Sequence, residues 1–366
     1  MSGIEPASAP APRLWGLSRR AARRVGAVLA LLTLVGVGAE TGARGLAIGL
    51  PLAMLPVPVY GALVLWLDRF EQEPRWMLAQ AFGWGAIVAP FFSMVLDGAA
   101  LAAAVERADP ETAEIVAAVL TAPVVEELAK GLALILLCRA HRDEFDNVTD
   151  GVVYAAMVGL GFAMTENVLY YGRAAGDGTL SGVLVLRGLI APFSHPLFTA
   201  ATGVGLGIRR ERRRGAARTL APIAGLATAI ALHFLWNLSA TLGVFRAVYL
   251  SVMLPSLTCV LWLVGRSLKR EARVLREHLR PLVAAGVLPA AELERLCSPA
   301  ARTRAWWRAL LLRGPDAARR RRQLNQFAAE LAFHYWRVGR GISLGETADS
   351  RRELEYLQRI REALEA

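Results

Sequence analysis

Eight apolar runs alternate along this chain with short charged loops, and that alternation restricts the fold more than any other feature. The runs cover residues 25–39, 46–67, 77–105, 115–138, 148–171, 180–208, 219–245 and 247–264. A helix needs roughly 20 mostly apolar residues to cross the hydrocarbon of a bilayer. In lipid the backbone must also satisfy its own hydrogen bonds, which leaves helices and closed barrels. Runs of this length predict an all-α fold: a polytopic membrane helical bundle of about eight transmembrane helices. The 55% hydrophobic content of the 366-residue chain agrees.

A net charge of +11 in a soluble protein would point to nucleic acid. Here the arginines sit between apolar runs, where they encode topology. Five precede the first run, and the loops at 68–76 and 139–147 carry two each. The loop 209–218 carries six, and the tail after Gly265 carries twenty. The intervening loops carry one apiece. Eight spans with both termini in the cytosol follow from that alternation, as expected of an integral protein of a plasma membrane. No aromatic-basic motif accompanies the charge, so nucleic acid is not an expected partner. The first run is short, and Val37-Gly38-Ala39 resembles a signal-peptidase site; an uncleaved anchor is the expectation.

Three segments result: a basic cytosolic N-terminus (1–24), a membrane domain (25–264) and an Arg-rich, helical cytosolic tail (265–366). Pro281, Pro289, Pro299 and Pro315 are expected to divide the tail into short helices. Within it, RAWWRALLLRG (304–314) has the composition of an interfacial amphipathic segment suited to anionic lipid. The acidic turn DRFEQEP (68–74) reads as a surface loop. Cys138, Cys259 and Cys297 are too few and too scattered for a disulfide framework or a cysteine-type zinc site.

Four of the runs carry polar residues that an anchor does not need. The fourth holds Glu126, Glu127 and Lys130 within five positions, although one such residue at mid-bilayer costs on the order of 2.5–3.5 kcal/mol. Helical spacing puts Lys130 one turn from both carboxylates. Lys130 is one of only two lysines, against forty arginines. A site that takes a lysine in such a chain calls for a compact ammonium. The fifth run contains Glu166 and Asn167 after Gly159 and Gly161. The sixth has His195 between Pro192 and Pro196, prolines that open a helix and free backbone carbonyls. In the seventh, His233 and Asn237 stand at i,i+4 and can converge on one point. Each feature alone has a packing explanation. Together they resemble a hydrolytic centre, which must hold a water, deprotonate it and stabilise an oxyanion.

In this order, Glu126-Glu127-x-x-Lys130, Phe162-x-x-x-Glu166, His195 and His233-x-x-x-Asn237 resemble the PrsW family of intramembrane proteases, distant relatives of the CAAX prenyl endoproteases. DRFEQEP, DGVVYAAMVGLGFAMTEN and SHPLFTA are similar to that family too, and the likeness covers roughly residues 60–240. It implies cleavage of a membrane-anchored protein, typified by an anti-sigma factor. Glu126, Glu127, Glu166, His195, His233 and Asn237 would then form the catalytic centre, supported by Lys130, Phe162 and Asn167. Glu166 stands where the prenyl endoproteases usually have His, which places the chain on the PrsW branch.

Two mechanisms remain open on these residues. In one, Glu126 or Glu127 activates water directly, with His233 and Asn237 on the oxyanion. In the other, His195, His233 and Glu127 bind zinc. No HExxH pair signals a metal. The alternative activities are a proton-coupled transporter and a prenyl-protein endoprotease.

Overall fold

The computed structural model describes residues 19–70, 72–142, 144–212, 214–341 and 345–365. Most of the expected basic N-terminus, together with Glu71 and Arg213 of the charged loops, lies outside the described residues. Every regular element among the described residues is helical. The helices are α1 (Arg19–Met54), α2 (Val57–Leu67), α3 (Arg75–Val105), α4 (residues 110–140), α5 (Val148–Asp177), α6 (residues 180–190), α7 (Ser194–Glu211), α8 (Ala216–Thr241), α9 (Phe245–Ala284), α10 (Ala290–Leu296), α11 (Pro299–Arg313), α12 (Pro315–Gly339) and α13 (Glu346–Glu365).

Six helical segments among the described residues are long and apolar enough to cross a membrane: Arg20–Leu67, Arg75–Val105, Val148–Asp177, Leu180–Glu211, Ala216–Thr241 and Phe245–Ala284. The first takes in two expected spans, and Gly42 interrupts it with a positive φ of 68°. The expected fourth span lies in α4. Its apolarity is broken by Glu126, Glu127 and Lys130, so the residues that make α4 interesting also hide it from a purely compositional test. The expected sixth span is two helices, because Ala191, Pro192 and Phe193 leave helical geometry just before His195. A proline lacks the amide N–H and crowds the preceding turn, so the chain opens there.

The chain divides into two compact units, residues 1–64 with 74–261 and residues 65–73 with 262–366. In the first, α5 is the central element. Inside its most apolar window 78% of residues are buried, against 44% or less in the other five segments. Small residues permit this. A Cβ on Gly159 would lie 2.6 Å from the Pro196 nitrogen of α7. Gly151 of α5 and Gly203 of α7 abut each other's backbone in the same way.

The second unit has its own core, with Leu275, Leu279, Leu324, Leu331 and Ile360 all buried. Pro299 and Pro315 take the first position of their helices, as proline's fixed φ favours, and Pro289 immediately precedes α10; Pro281 instead lies inside α9, in its last turn. Residues 65–73 belong to this unit, and the expected surface loop is partly buried in it. Phe70 is 1% exposed, and Asp68 and Glu73 are buried. The reason is Arg302, which donates to the carbonyls of Arg69, Phe70 and Asn325 and stacks 5.2 Å over the Phe70 ring.

Candidate active site

Four long helices of the first unit bring polar side chains into one cluster. In α4 a widened, π-type turn at Ala117–Thr121 precedes Pro123, and one turn later come Glu126, Glu127 and Lys130. Such bulges often mark functional positions, because they rotate the following residues. α5 contributes Phe162, Glu166 and Asn167, α7 contributes His195 and Thr199, and α8 contributes His233. The opened backbone before α7 puts His195 in its first turn.

Lys130 is fully buried and central. Its Nζ is 2.6 Å from Glu127 Oε1, 3.5 Å from Glu126 Oε2 and 3.1 Å from His195 Nδ1. It also sits 4.0 Å above the Phe162 ring. A cation over an aromatic face gains from the ring quadrupole, most of all when desolvated. Lys130 donates to Nδ1 of His195, so the ring's Nε2–H donates to Glu166 Oε2 at 2.7 Å. Glu166 is held in turn by Arg187 of α6, whose Nε donates to Asn167 Oδ1 at 2.7 Å.

A second chain of bonds mirrors the first. His233 Nδ1 lies 3.2 Å from Glu127 Oε1, and Thr199 donates to Glu127 Oε2 at 3.2 Å. His233 Nε2 then faces Glu126 Oε2 at 3.8 Å. The two imidazoles meet edge to face, 5.2 Å apart, with Phe198 stacked on His233. Each histidine is thus oriented by its own carboxylate. Glu126 is the acid left facing both.

Five of the six expected catalytic residues, Glu126, Glu127, Glu166, His195 and His233, come together here, with Lys130, Phe162 and Asn167 in the supporting places. Asn237 departs from expectation: its amide donates to the Ala118 carbonyl at 2.8 Å. That carbonyl lies in the widened turn of α4, where the regular helical ladder is disturbed and a side chain can take its place. Two residues enter that the motifs did not single out. Thr199 follows His195 at i,i+4, a spacing that could have revealed it. Arg187 is an arginine inside an apolar run, where a guanidinium needs a partner. A cleft lined by Asn167, Arg187, Pro192, Ser194, His195 and Trp236 reaches this side of the cluster.

Among the described residues, Glu126, His195 and His233 offer ligand atoms that all lie within 4.8 Å of one another. The carboxylate in this set is Glu126, not the expected Glu127, which is saturated by Lys130, His233 and Thr199. Two imidazoles and a carboxylate are the donor chemistry of catalytic zinc sites. Carboxylates on the remote ring nitrogens, here Glu127 and Glu166, are the usual outer partners of such ligands. The donor set therefore fits zinc. Lys130, at His195 Nδ1, is the group that a second cation would have to displace.

Comparison with known proteins points the same way. The profile of the family described as "PrsW family intramembrane metalloprotease" matches residues 73–260. The chain is similar to three curated bacterial proteins named Protease PrsW. It is 36% identical to that of Geobacillus kaustophilus over 140 residues, 38% of this chain and 57% of that protein. Identity to the Oceanobacillus iheyensis protein is 30% over 137 residues, 37% of this chain and 57% of that protein. For Bacillus subtilis it is 29% over 146 residues, 39% and 60%. The chain spans less than two thirds of the length of these relatives. No solved structure matches it.

Proposed function

The chain belongs to the PrsW family of intramembrane metalloproteases, and from that premise we propose that it is a membrane-embedded endopeptidase. It would hydrolyse a peptide bond in or near the transmembrane segment of a membrane-anchored protein, with an anti-sigma-factor-like substrate by family resemblance. The observation that carries this reading is the convergence of Glu126, His195 and His233 with each imidazole backed by its own carboxylate. The broken backbone at residues 191–193 supports it, since non-helical backbone at membrane depth is tolerated where it lines a cavity. Both termini are assigned to the cytosol on the arginine distribution.

In this proposal Glu126, His195 and His233 hold a zinc ion. Bound there, the metal would polarise a carbonyl and acidify water. The chain's own groups do the positioning. Glu127, fixed by Thr199, sets the His233 ring; Glu166, clamped by Arg187, sets His195. Lys130 supplies positive charge beside the carboxylates, and Phe162 and Phe198 wall off water. One observation favours a second, metal-free reading: Lys130 Nζ already fills the contact at His195 Nδ1. Glu126, 8% exposed against 0% for Glu127, would then be the general base.

The test is cleavage of a single-pass substrate by the purified protein in detergent, for wild type, Glu126→Gln and His233→Ala, each with and without a strong chelator. Loss of cleavage in both variants, by ~100-fold or more, is expected. Loss under chelation with recovery on added zinc supports the metal reading. Full activity under chelation supports the glutamate reading. Wild-type cleavage by Glu126→Gln would sink both.

A further inference from the structure

The second unit carries a strongly basic surface that contributes no residue to the candidate active site. Residues 299–322 contain eight arginines against the single acid Asp316, a net charge of +7. Helix α11 (Pro299–Arg313) is two-faced within this stretch. Its inner side buries Arg302 and Ala309. Its outer side presents Trp307, Leu311 and Leu312, which are 50%, 76% and 75% exposed. Helical spacing sets Arg304 and Arg308 on that same face, both exposed and without an ion pair among the described residues. Large apolar groups this open, interleaved with unpaired guanidinium groups, are costly in water. They suit the boundary between headgroups and acyl chains, where tryptophan and arginine are at home.

We infer that the outer face of α11 is a docking surface for an anionic lipid bilayer. Charge selects that occupant: the face has arginines where a protein-packing face would have neutral groups, and acidic headgroups attract a polybasic segment close to the surface. The chain also supplies the bilayer, because this unit is joined directly to the apolar segments ending at Leu67, beginning at Arg75 and running through α9. The contact anchors the tail by insertion of Trp307, Leu311 and Leu312 between lipids, with Arg304 and Arg308 on phosphates.

The experiment reads depth directly. Full-length protein carrying Cys259→Ser, which removes the exposed thiol, receives a spin label at Leu311→Cys or, as control, at the exposed Glu355→Cys. It is placed in nanodiscs of neutral lipid or of neutral lipid with about one third anionic lipid. The expected result is that the label at 311 is shielded from a water-soluble nickel chelate by ~10-fold relative to 355, and exposed to oxygen, in the anionic discs. Arg304→Glu with Arg308→Glu should abolish that shielding while circular dichroism and thermal unfolding stay unchanged. Nickel access at 311 equal to that at 355 would overturn the inference. So would shielding that survives the double reversal or is the same in neutral discs, which would identify a protein contact instead.

Discussion

Thr199 and Arg187 each hold a carboxylate of the candidate site, Glu127 and Glu166 in turn, and their loss should show in different measurements. Thr199 donates one hydrogen bond to Glu127 Oε2, and Glu127 sets the His233 ring. Removing a partner of this kind usually lowers activity 10–100-fold. Thr199→Val should therefore reduce kcat by about 10-fold, with KM and thermal stability nearly unchanged. A rise in KM at constant kcat would show that Thr199 serves binding instead. Arg187 differs because its deletion leaves the partly buried Glu166 carboxylate with the His195 N–H alone. Breaking one side of a fully buried pair costs about 3–5 kcal/mol, and this partly buried pair should lose a fraction of that. Arg187→Met should thus melt lower than wild type. The double variant Arg187→Met/Glu166→Gln should recover most of that stability but little activity, since His195 keeps an acceptor but loses the carboxylate charge behind it. Equal melting of the single and double variants would refute the coupling.

Helices α5 and α7 approach through backbone, and that closeness sets the position of His195. A methyl on Gly159 would sit 2.6–2.7 Å from backbone atoms of His195 and Pro196. Overpacking of this sort costs about 1–3 kcal/mol, and here it would also push the His195 ring away from Lys130. Gly159→Ala should lower both melting temperature and cleavage. Gly265→Ala, where nothing lies within 4 Å, should leave both intact or raise stability slightly, by alanine's better helix propensity. Parallel effects in the two variants would mean that propensity, not approach, governs Gly159. The break at residues 191–193 is likewise an element-scale device. Pro192 and Pro196 announce an opened helix, yet a proline pattern does not say that the opening leaves His195 facing Glu166 and Lys130.

At the scale of the whole molecule, the second unit carries a titratable group of its own, outside the membrane-spanning segments. Burial holds the His334 imidazole of α12 below its ordinary value, opposed by the charge of Asp349. In the folded state the ring accepts a proton less readily than in the unfolded chain. Its contribution is constant above the unfolded value of about 6.5 and turns unfavourable as pH falls through it. Unfolding of the tail, followed by limited proteolysis on heating, should come at lower temperature at pH 5.5 than at pH 7.5. His334→Leu should flatten that dependence; an unchanged slope would locate the acid sensitivity elsewhere.

The membrane class, the α-helical fold and the membership of the cluster were legible in residue order. Hydrocarbon thickness sets the length of an apolar run, and charge inside such a run is too costly to be idle. Glu126, Glu127, Lys130, Glu166, His195 and His233 stand out for that reason. Pairings between helices depend instead on rotation and approach, which the linear chain does not encode at this resolution. The widened turn in α4 sends the Asn237 amide to Ala118, and saturation of Glu127 leaves Glu126 facing both imidazoles. Arg302 draws Phe70 into the tail's core, where an acidic turn would otherwise be expected on the surface. Each of these outcomes is a choice among partners offered by a separate helix, and only packing in three dimensions makes that choice.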